Sequence, residues 1–332
     1  MAEASARSRD LFARSLVWDM TLPWLAEFAD TVTLPRFAAA GIDFISLTVA
    51  GDALGPAPAL KQIGWVRDYV ARQPDKFVLV RTVDDILGAK AAGKLALGMH
   101  FQGTNPLAGD VSLVETFYDL GVRHMLMAYQ LKNLVADGCG ERTDAGLSKF
   151  GIRMIAEMNR VGMLVDGSHT GHRSSMDAIE ACAGPFIFSH SNAHAVFPHY
   201  RNIKDDQIKA CAASGGVVGI NGLGAFLSDD EFTANAETMF RHVDHMVNLV
   251  GPAHVGIGLD YVKDVPNLIE WVKANADAWP PNNGKPYAGS AFAQPEDLAR
   301  LCDVMCAHGY ADDVVRGILG ENFLRVCRQV WK

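Results

Sequence analysis

The chain has 332 residues, 49% apolar and 20% charged, with a formal net charge of −8. That balance suits a globular protein with a large core, and it argues against nucleic acid as a partner, because phosphate binding needs basic patches and no run of Lys or Arg occurs. No stretch approaches the length of a membrane span, MAEASARSRDLFARS lacks the apolar core of a signal peptide, and the six Cys form no C-x-x-C pair. No membrane association is expected, and a cytoplasmic location is the default reading.

In chain order, eight short apolar runs read as buried parallel strands, near 15–19, 43–49, 95–102, 122–129, 161–167, 185–190, 215–220 and 254–260. A further run, KFVLVR at 77–82, reads as an extra strand outside that set. Between them TLPRFAAAG, VSLVETFYDLG, FGIRMIAEMNRVG and DDQIKACAASGG have helical spacing and close on Gly, the usual C-terminal cap. Eight strand–helix units predict an α/β fold, a (β/α)8 TIM barrel forming a single domain over 1–332. Residues 262–297 break the rhythm after the last strand and carry Trp271, Trp279, Pro280, Pro281 and Tyr287. This rim segment reads either as a lid or substrate wall, or as a surface excursion whose Trp residues cover a helix.

Several apolar runs are closed by a polar residue that packing does not explain. Asp19 ends SLVWD, Gln102 ends LALGMHFQ, His169 ends GMLVDGSH, His190 ends PFIFSH and Asp260 ends HVGIGLD. In a barrel these positions lie on the C-terminal rim, where the chemistry sits. A lone His is usually a structural residue. Two at equivalent positions on neighbouring strands are better explained as neutral imidazoles facing one cation. Asp260 reads as a third ligand, as a general base, as both, or as half of a salt bridge across the mouth. His100 and Gln102 are two apart on one strand, so both point into the barrel or both point out. For His100 a hydrogen-bonding core role stands beside metal contact. Gln102 offers a carbonyl oxygen to a metal or a bound water. Arg201, in FPHYRNIKDDQI, reads as a fork for a carboxylate or as a surface partner of Asp205 or Asp206.

These motifs resemble the renal (membrane) dipeptidase family of zinc peptidases, amidohydrolase-type barrels. The likeness covers nearly the whole chain, through GLSKFGIRMIAEMNRVGMLVDGSHT, PFIFSHSNAHAVFPHYRNIKDDQI, GIGLDYV and GENFLRV. It implies two zinc ions sharing a bridging Glu, one completed by an H-x-D motif and a barrel Asp, the other by two His. By motif, His169, His190, Asp260 and the carboxylate-binding Arg201 are present. The H-x-D motif has become Asp19-Met20-Thr21, the bridging Glu falls on Gln102, and a carbonyl-polarising His falls on Tyr129. Losing the bridging carboxylate removes the anion that offsets repulsion between two cations roughly 3.5–4 Å apart.

The expectation is one divalent metal, most simply zinc, held by His169 and His190 with help from Asp260, Asp19, Gln102 or His100. The expected function is hydrolysis of an amide bond in a small carboxylated substrate, a dipeptide or an N-acyl amino acid. Asp260 would act as base, Tyr129 as oxyanion donor and Arg201 as carboxylate clamp. The alternatives are another metal-dependent reaction on the same barrel (lactone opening, elimination or decarboxylation) and a catalytically silent binding protein. The related enzymes suggest a homodimer.

Overall fold

The computed structural model describes residues 5–27, 29–282 and 284–332. The first four residues of the N-terminal stretch, residue 28, and residue 283 of the rim segment lie outside them.

The described residues form nine strands: β1 (Trp18–Pro23), β2 (Phe44–Gly51), β3 (Phe77–Leu79), β4 (Leu95–Gln102), β5 (Val122–Leu126), β6 (Leu164–Asp166), β7 (Ile187–Phe188), β8 (Val217–Ile220) and β9 (Val255–Ile257). Neighbours pair in parallel in the order β1-β2-β4-β5-β6-β7-β8-β9. The Asp260 N–H donates to the Thr21 carbonyl at 3.0 Å, which brings the chain after β9 back to β1. This is the expected (β/α)8 barrel. β3 stands off the barrel path and pairs with the first half of β4, while β5 takes the second half.

The helices form where the apolar spacing placed them. Leu113–Leu120 and Lys149–Val161 end on Gly121 and Gly162, at φ of 114° and 90° in the left-handed region that Gly adopts without strain. The rim segment departs from the irregular connection expected of it, because a helix, Val265–Ala274, runs through its first third, entered by an Asp264 cap.

Alternation along the strands sorts the barrel interior into layers. On β2, Ile45, Leu47 and Val49 face the helices, and on β4 so do Leu97, Met99 and Phe101. The opposite faces point into the lumen. At its bottom Phe44, Ala96, Leu164, Ile187 and Val217 pack with Trp18 and with Phe323 of the C-terminal helix Asn322–Val330. Trp18 lies 4.0 Å from Phe44 between ring centroids. Above this plug the inward residues turn polar: Ser46, His100, His124 and Asp166, then Thr48 and Gln102, all buried. His100 and Gln102 therefore both point inward.

Candidate active site

His169 and His190 follow β6 and β7, and their rings lie 4.9 Å apart at 63°. The close approach that carries His190 inward needs glycine. A Cβ on Gly219 or on Gly258 would each stand 2.0 Å from the Ser189 carbonyl oxygen. The His190 Nδ1 is met by the hydroxyls of Ser189 at 2.7 Å and Thr21 at 3.0 Å. Among the described residues its Nε2 has no partner, and neither ring nitrogen of His169 has one. Burial, reinforced by the Arg201 charge, holds both imidazoles well below their ordinary pKa. They are neutral at physiological pH, the form that offers a lone pair to a metal.

Asp19 is the second residue of β1 rather than its last, because the strand begins later and runs further than the apolar run suggested, with a register shift between Asp19 and Leu22. Its Oδ1 accepts from the N–H groups of Leu259 at 2.8 Å and Thr21 at 3.2 Å, and its Oδ2 is buried without a partner among the described residues. Burial raises its pKa to about 7, against those two hydrogen bonds. Asp260, three residues past β9, accepts from the Asn221 amide at 3.1 Å, and burial raises its pKa to about 6 although Arg201 opposes this. Asn221 is itself pinned, its N–H donating to Asn192 Oδ1 at 3.1 Å.

His169 and Asp260 also share a backbone signature, with φ of 63° and 56°. Left-handed conformations cost a non-glycine residue on the order of 1–3 kcal/mol and persist where the surroundings enforce them, often at functional sites. Gln130, at φ 61°, is a third such residue near the mouth.

Arg201 is 2% exposed, which removes its reading as a surface residue. Its supposed partners are otherwise engaged: Asp206 with His172 at 2.8 Å and Asp205 with His245 at 2.9 Å. One Arg201 terminal nitrogen donates to the His190 carbonyl at 3.4 Å, its guanidinium lies over Phe226, and its Nε has no partner among the described residues. The Tyr129 ring stacks on His169 at 4.2 Å, and burial, then the nearby Asp260 charge, raise the pKa of its hydroxyl. From the rim segment, Trp271 meets the Tyr129 ring edge-on at 6.3 Å. A cavity of about 200 Å³ opens beside the mouth, walled by His169, Arg201, Tyr200 and Lys204 among others. His190, Asp19 and Asp260 are not in its wall, so it flanks the centre instead of containing it.

His100 takes the hydrogen-bonding role. Its Nδ1 lies 3.0 Å from Ser46 Oγ and its Nε2 3.1 Å from Thr48 Oγ1, so both ring nitrogens are occupied. His124, passed over in the sequence, stacks on it at 4.3 Å and meets Asp166 at 3.1 Å.

Sequence reasoning also missed Asp52, Asp166 and Asn221, although each follows an apolar run as the recognised residues do. Asp52 accepts from the N–H groups of Thr104 (2.8 Å), Asn105 (3.1 Å) and Tyr129 (2.8 Å) and from the Asn133 amide (2.9 Å). It ties the loops after β2, β4 and β5 together beneath Tyr129. Asp52→Ala strands these donors at about 1–3 kcal/mol for each one left unpaired. Urea unfolding should show a loss of roughly 3 kcal/mol or more.

The chemistry of these donors suits a borderline divalent cation: two imidazoles, each with a free nitrogen, and a carboxylate oxygen, buried and without partners among the described residues. Among the described residues no three His, Cys, Asp or Glu side chains gather closely enough to enclose an ion. The two His are the part of the site that stands assembled. The sequence profile of the membrane dipeptidase family, peptidase family M19, matches residues 36–276. The chain belongs to that family. Curated proteins similar to it include an uncharacterised dipeptidase of Schizosaccharomyces pombe, 33% identical over 238 residues, 70% of this chain and 58% of the relative. A dipeptidase of Claviceps purpurea is 29% identical over 81% of this chain and 59% of its own length. The chain thus spans about three fifths of the length of these curated relatives. Among solved structures, an amidohydrolase from Pseudomonas aeruginosa is 28% identical, with a TM-score of 0.88 over 98% of this chain and 99% of the other. A Rhodobacter sphaeroides metallopeptidase, liganded with a phosphinate mimic of L-Ala-D-Ala, is 22% identical with a TM-score of 0.78, covering 96% of this chain and 100% of that one, and shows the shared fold.

Among the described residues no helix is long and apolar enough to cross a membrane.

Proposed function

We propose that the protein is a metal-dependent hydrolase that cleaves an amide bond in a small carboxylated substrate, a dipeptide or an N-acyl amino acid. The observation that carries this reading is a set of buried polar side chains around one barrel mouth with atoms that have no partner among the described residues: His169, Nε2 of His190, Oδ2 of Asp19 and Nε of Arg201. Leaving such groups buried without partners costs about 1–3 kcal/mol each, more where they are charged, and a ligand removes that cost.

His169 and His190 would hold the metal, with a carboxylate from Asp19 or Asp260. A divalent cation there supplies Lewis-acid polarisation of the scissile carbonyl and makes water acidic enough to attack near neutral pH. Asp260 takes the proton from the attacking water and delivers it to the leaving amine. Tyr129, still protonated, donates to the oxyanion. Arg201 fixes the substrate carboxylate and so orients the amide. The rim segment, with Trp271 against Tyr129, is the substrate wall.

A single ion is favoured by charge. For an N-acyl amino acid, the carboxylates of Asp19 and Asp260, the Arg201 guanidinium, one divalent cation and the substrate carboxylate cancel. A second cation would leave two uncompensated positive charges.

The test is metal content of protein purified without chelators, together with hydrolysis of dipeptide and N-acyl amino acid panels. About one ion per chain with amide cleavage is the expected result. No metal uptake even when metal is supplied would defeat it. In the active enzyme, Arg201→Lys should raise KM by about tenfold or more with a smaller effect on kcat, because Lys cannot reproduce the guanidinium fork.

A further inference from the structure

We infer that Gln102 presents its amide oxygen to the barrel mouth, held that way by a one-directional hydrogen-bond chain that starts at Asp166. The links are all buried in the lumen. His124 Nδ1 lies 3.1 Å from Asp166 Oδ2, and His124 Nε2 lies 2.9 Å from Ser46 Oγ. Ser46 Oγ lies 3.0 Å from His100 Nδ1, His100 Nε2 lies 3.1 Å from Thr48 Oγ1, and the Gln102 amide nitrogen donates to Thr48 Oγ1 at 3.2 Å.

The direction of such a chain is set by its ends. Asp166 stands as an acceptor at both oxygens: Oδ1 receives the N–H groups of Ser168 at 3.0 Å and Ser189 at 3.1 Å, and Oδ2 faces His124 Nδ1. It can only accept. The proton it accepts from His124 is on Nδ1. In this arrangement that is the one proton on the ring, and His124 Nε2 accepts the Ser46 hydroxyl. Ser46 and Thr48 each have one proton to give, so every later step follows. Ser46 accepts from His100 Nδ1–H, His100 Nε2 accepts the Thr48 hydroxyl, and Thr48 accepts from the Gln102 NH2. All hydrogens point toward Asp166, every link is satisfied, and no second charge enters the lumen. The reverse direction needs a doubly protonated His124, which is a second charge in the lumen, and it frees the Thr48 hydroxyl from His100, so that the Gln102 amide is no longer held one way.

The free end of the chain is Gln102 Oε1, which no donor among the described residues reaches. The mouth thus receives an uncharged oxygen acceptor at the position where the family resemblance has a bridging carboxylate. A cationic group, whether a metal ion or a substrate ammonium, finds an aimed dipole there in place of a charge. Thr48, His100, Ser46 and His124 are positioning residues for that oxygen. What the oxygen binds rests on the hydrolase reading. Its orientation does not.

The test is nitrogen NMR of the histidine rings in ¹⁵N-labelled, chelator-treated full-length protein. His100 and His124 should each show a protonated Nδ1 and an unprotonated Nε2. An imidazolium His124, or a His100 protonated at Nε2, would overturn the inference. Gln102→Glu supplies a second reading. A carboxylate has no proton for Thr48, whose hydroxyl turns toward it and leaves His100 Nε2. The His100 Nε2 resonance should then move while Thr48→Val leaves His124 unchanged. An unmoved His100 signal in Gln102→Glu would also overturn it. Failure of the hydrolase reading would appear in the substrate assay, which these spectra do not involve.

Discussion

His190→Ala should abolish tight divalent-cation binding, whereas Thr21→Ala should leave affinity within about tenfold of the parent protein. His190 Nε2 is one of the few donor atoms at the mouth with no other partner, so its removal deletes a ligand outright. Thr21 stands where the resemblance has a carboxylate ligand, yet its hydroxyl is turned to the Met20 carbonyl at 2.7 Å and to His190 Nδ1 at 3.0 Å. It orients the imidazole and shares that task with Ser189 at 2.7 Å. A residue that only orients a metal ligand is worth about 10–100-fold in affinity. With Ser189 still in place the loss belongs at the low end. Titration against a competing chromophoric chelator separates the two variants. Equal loss in both would show that Thr21 belongs to the metal's own shell and that the two-His centre is wrongly drawn.

The barrel was legible because its strands are buried on both faces, so each appears as a continuous apolar run with a clear end. Polar residues closing those runs led to His169, His190 and Asp260. The same rule, applied evenly, would have yielded Asp52, Asp166 and Asn221, which support the loops and the carboxylate. What the sequence could not show was position within a strand. Asp19 closes an apolar run in the sequence but sits near the start of β1, because strand limits are fixed by pairing with β2 and by the register shift beyond Asp19. Nor could it say whether His100 faces a metal or a hydroxyl, since that depends on Ser46 and Thr48 from a neighbouring strand. Arg201 was ambiguous for a similar reason: two nearby aspartates looked like its partners until His172 and His245 were found to occupy them.

The metal-free protein should become more stable when Asp19 is replaced by asparagine, and the gain should grow with pH. The Asp19 carboxyl is raised from 3.8 to about 7 by burial, so its charged form is the disfavoured one in the fold. A raised folded-state pKa contributes stability that is complete below about 3.8 and is lost as pH rises through about 7. The full difference corresponds to on the order of 4 kcal/mol of destabilisation at pH 8. The substituted amide carries no charge, and its oxygen can still accept from the N–H groups of Leu259 and Thr21. Its NH2 would occupy the place of the unpartnered Oδ2 and remain unsatisfied, offsetting about 1–3 kcal/mol of the gain. The comparison must be made between variants, since His169, His190 and His100, all held well below their ordinary pKa, weaken both proteins alike as pH falls below about 6.5. Urea unfolding of chelator-treated protein at pH 5 and pH 8 should show the advantage of Asp19→Asn widening by a few kcal/mol at the higher pH. An advantage that shrank from pH 5 to pH 8 would mean that the buried carboxylate is already compensated within the fold. Adding zinc should reverse the order, because a bound cation turns the same buried charge from a cost into an attraction. The carboxylate destabilises the empty barrel for the reason that would make it useful in the loaded one.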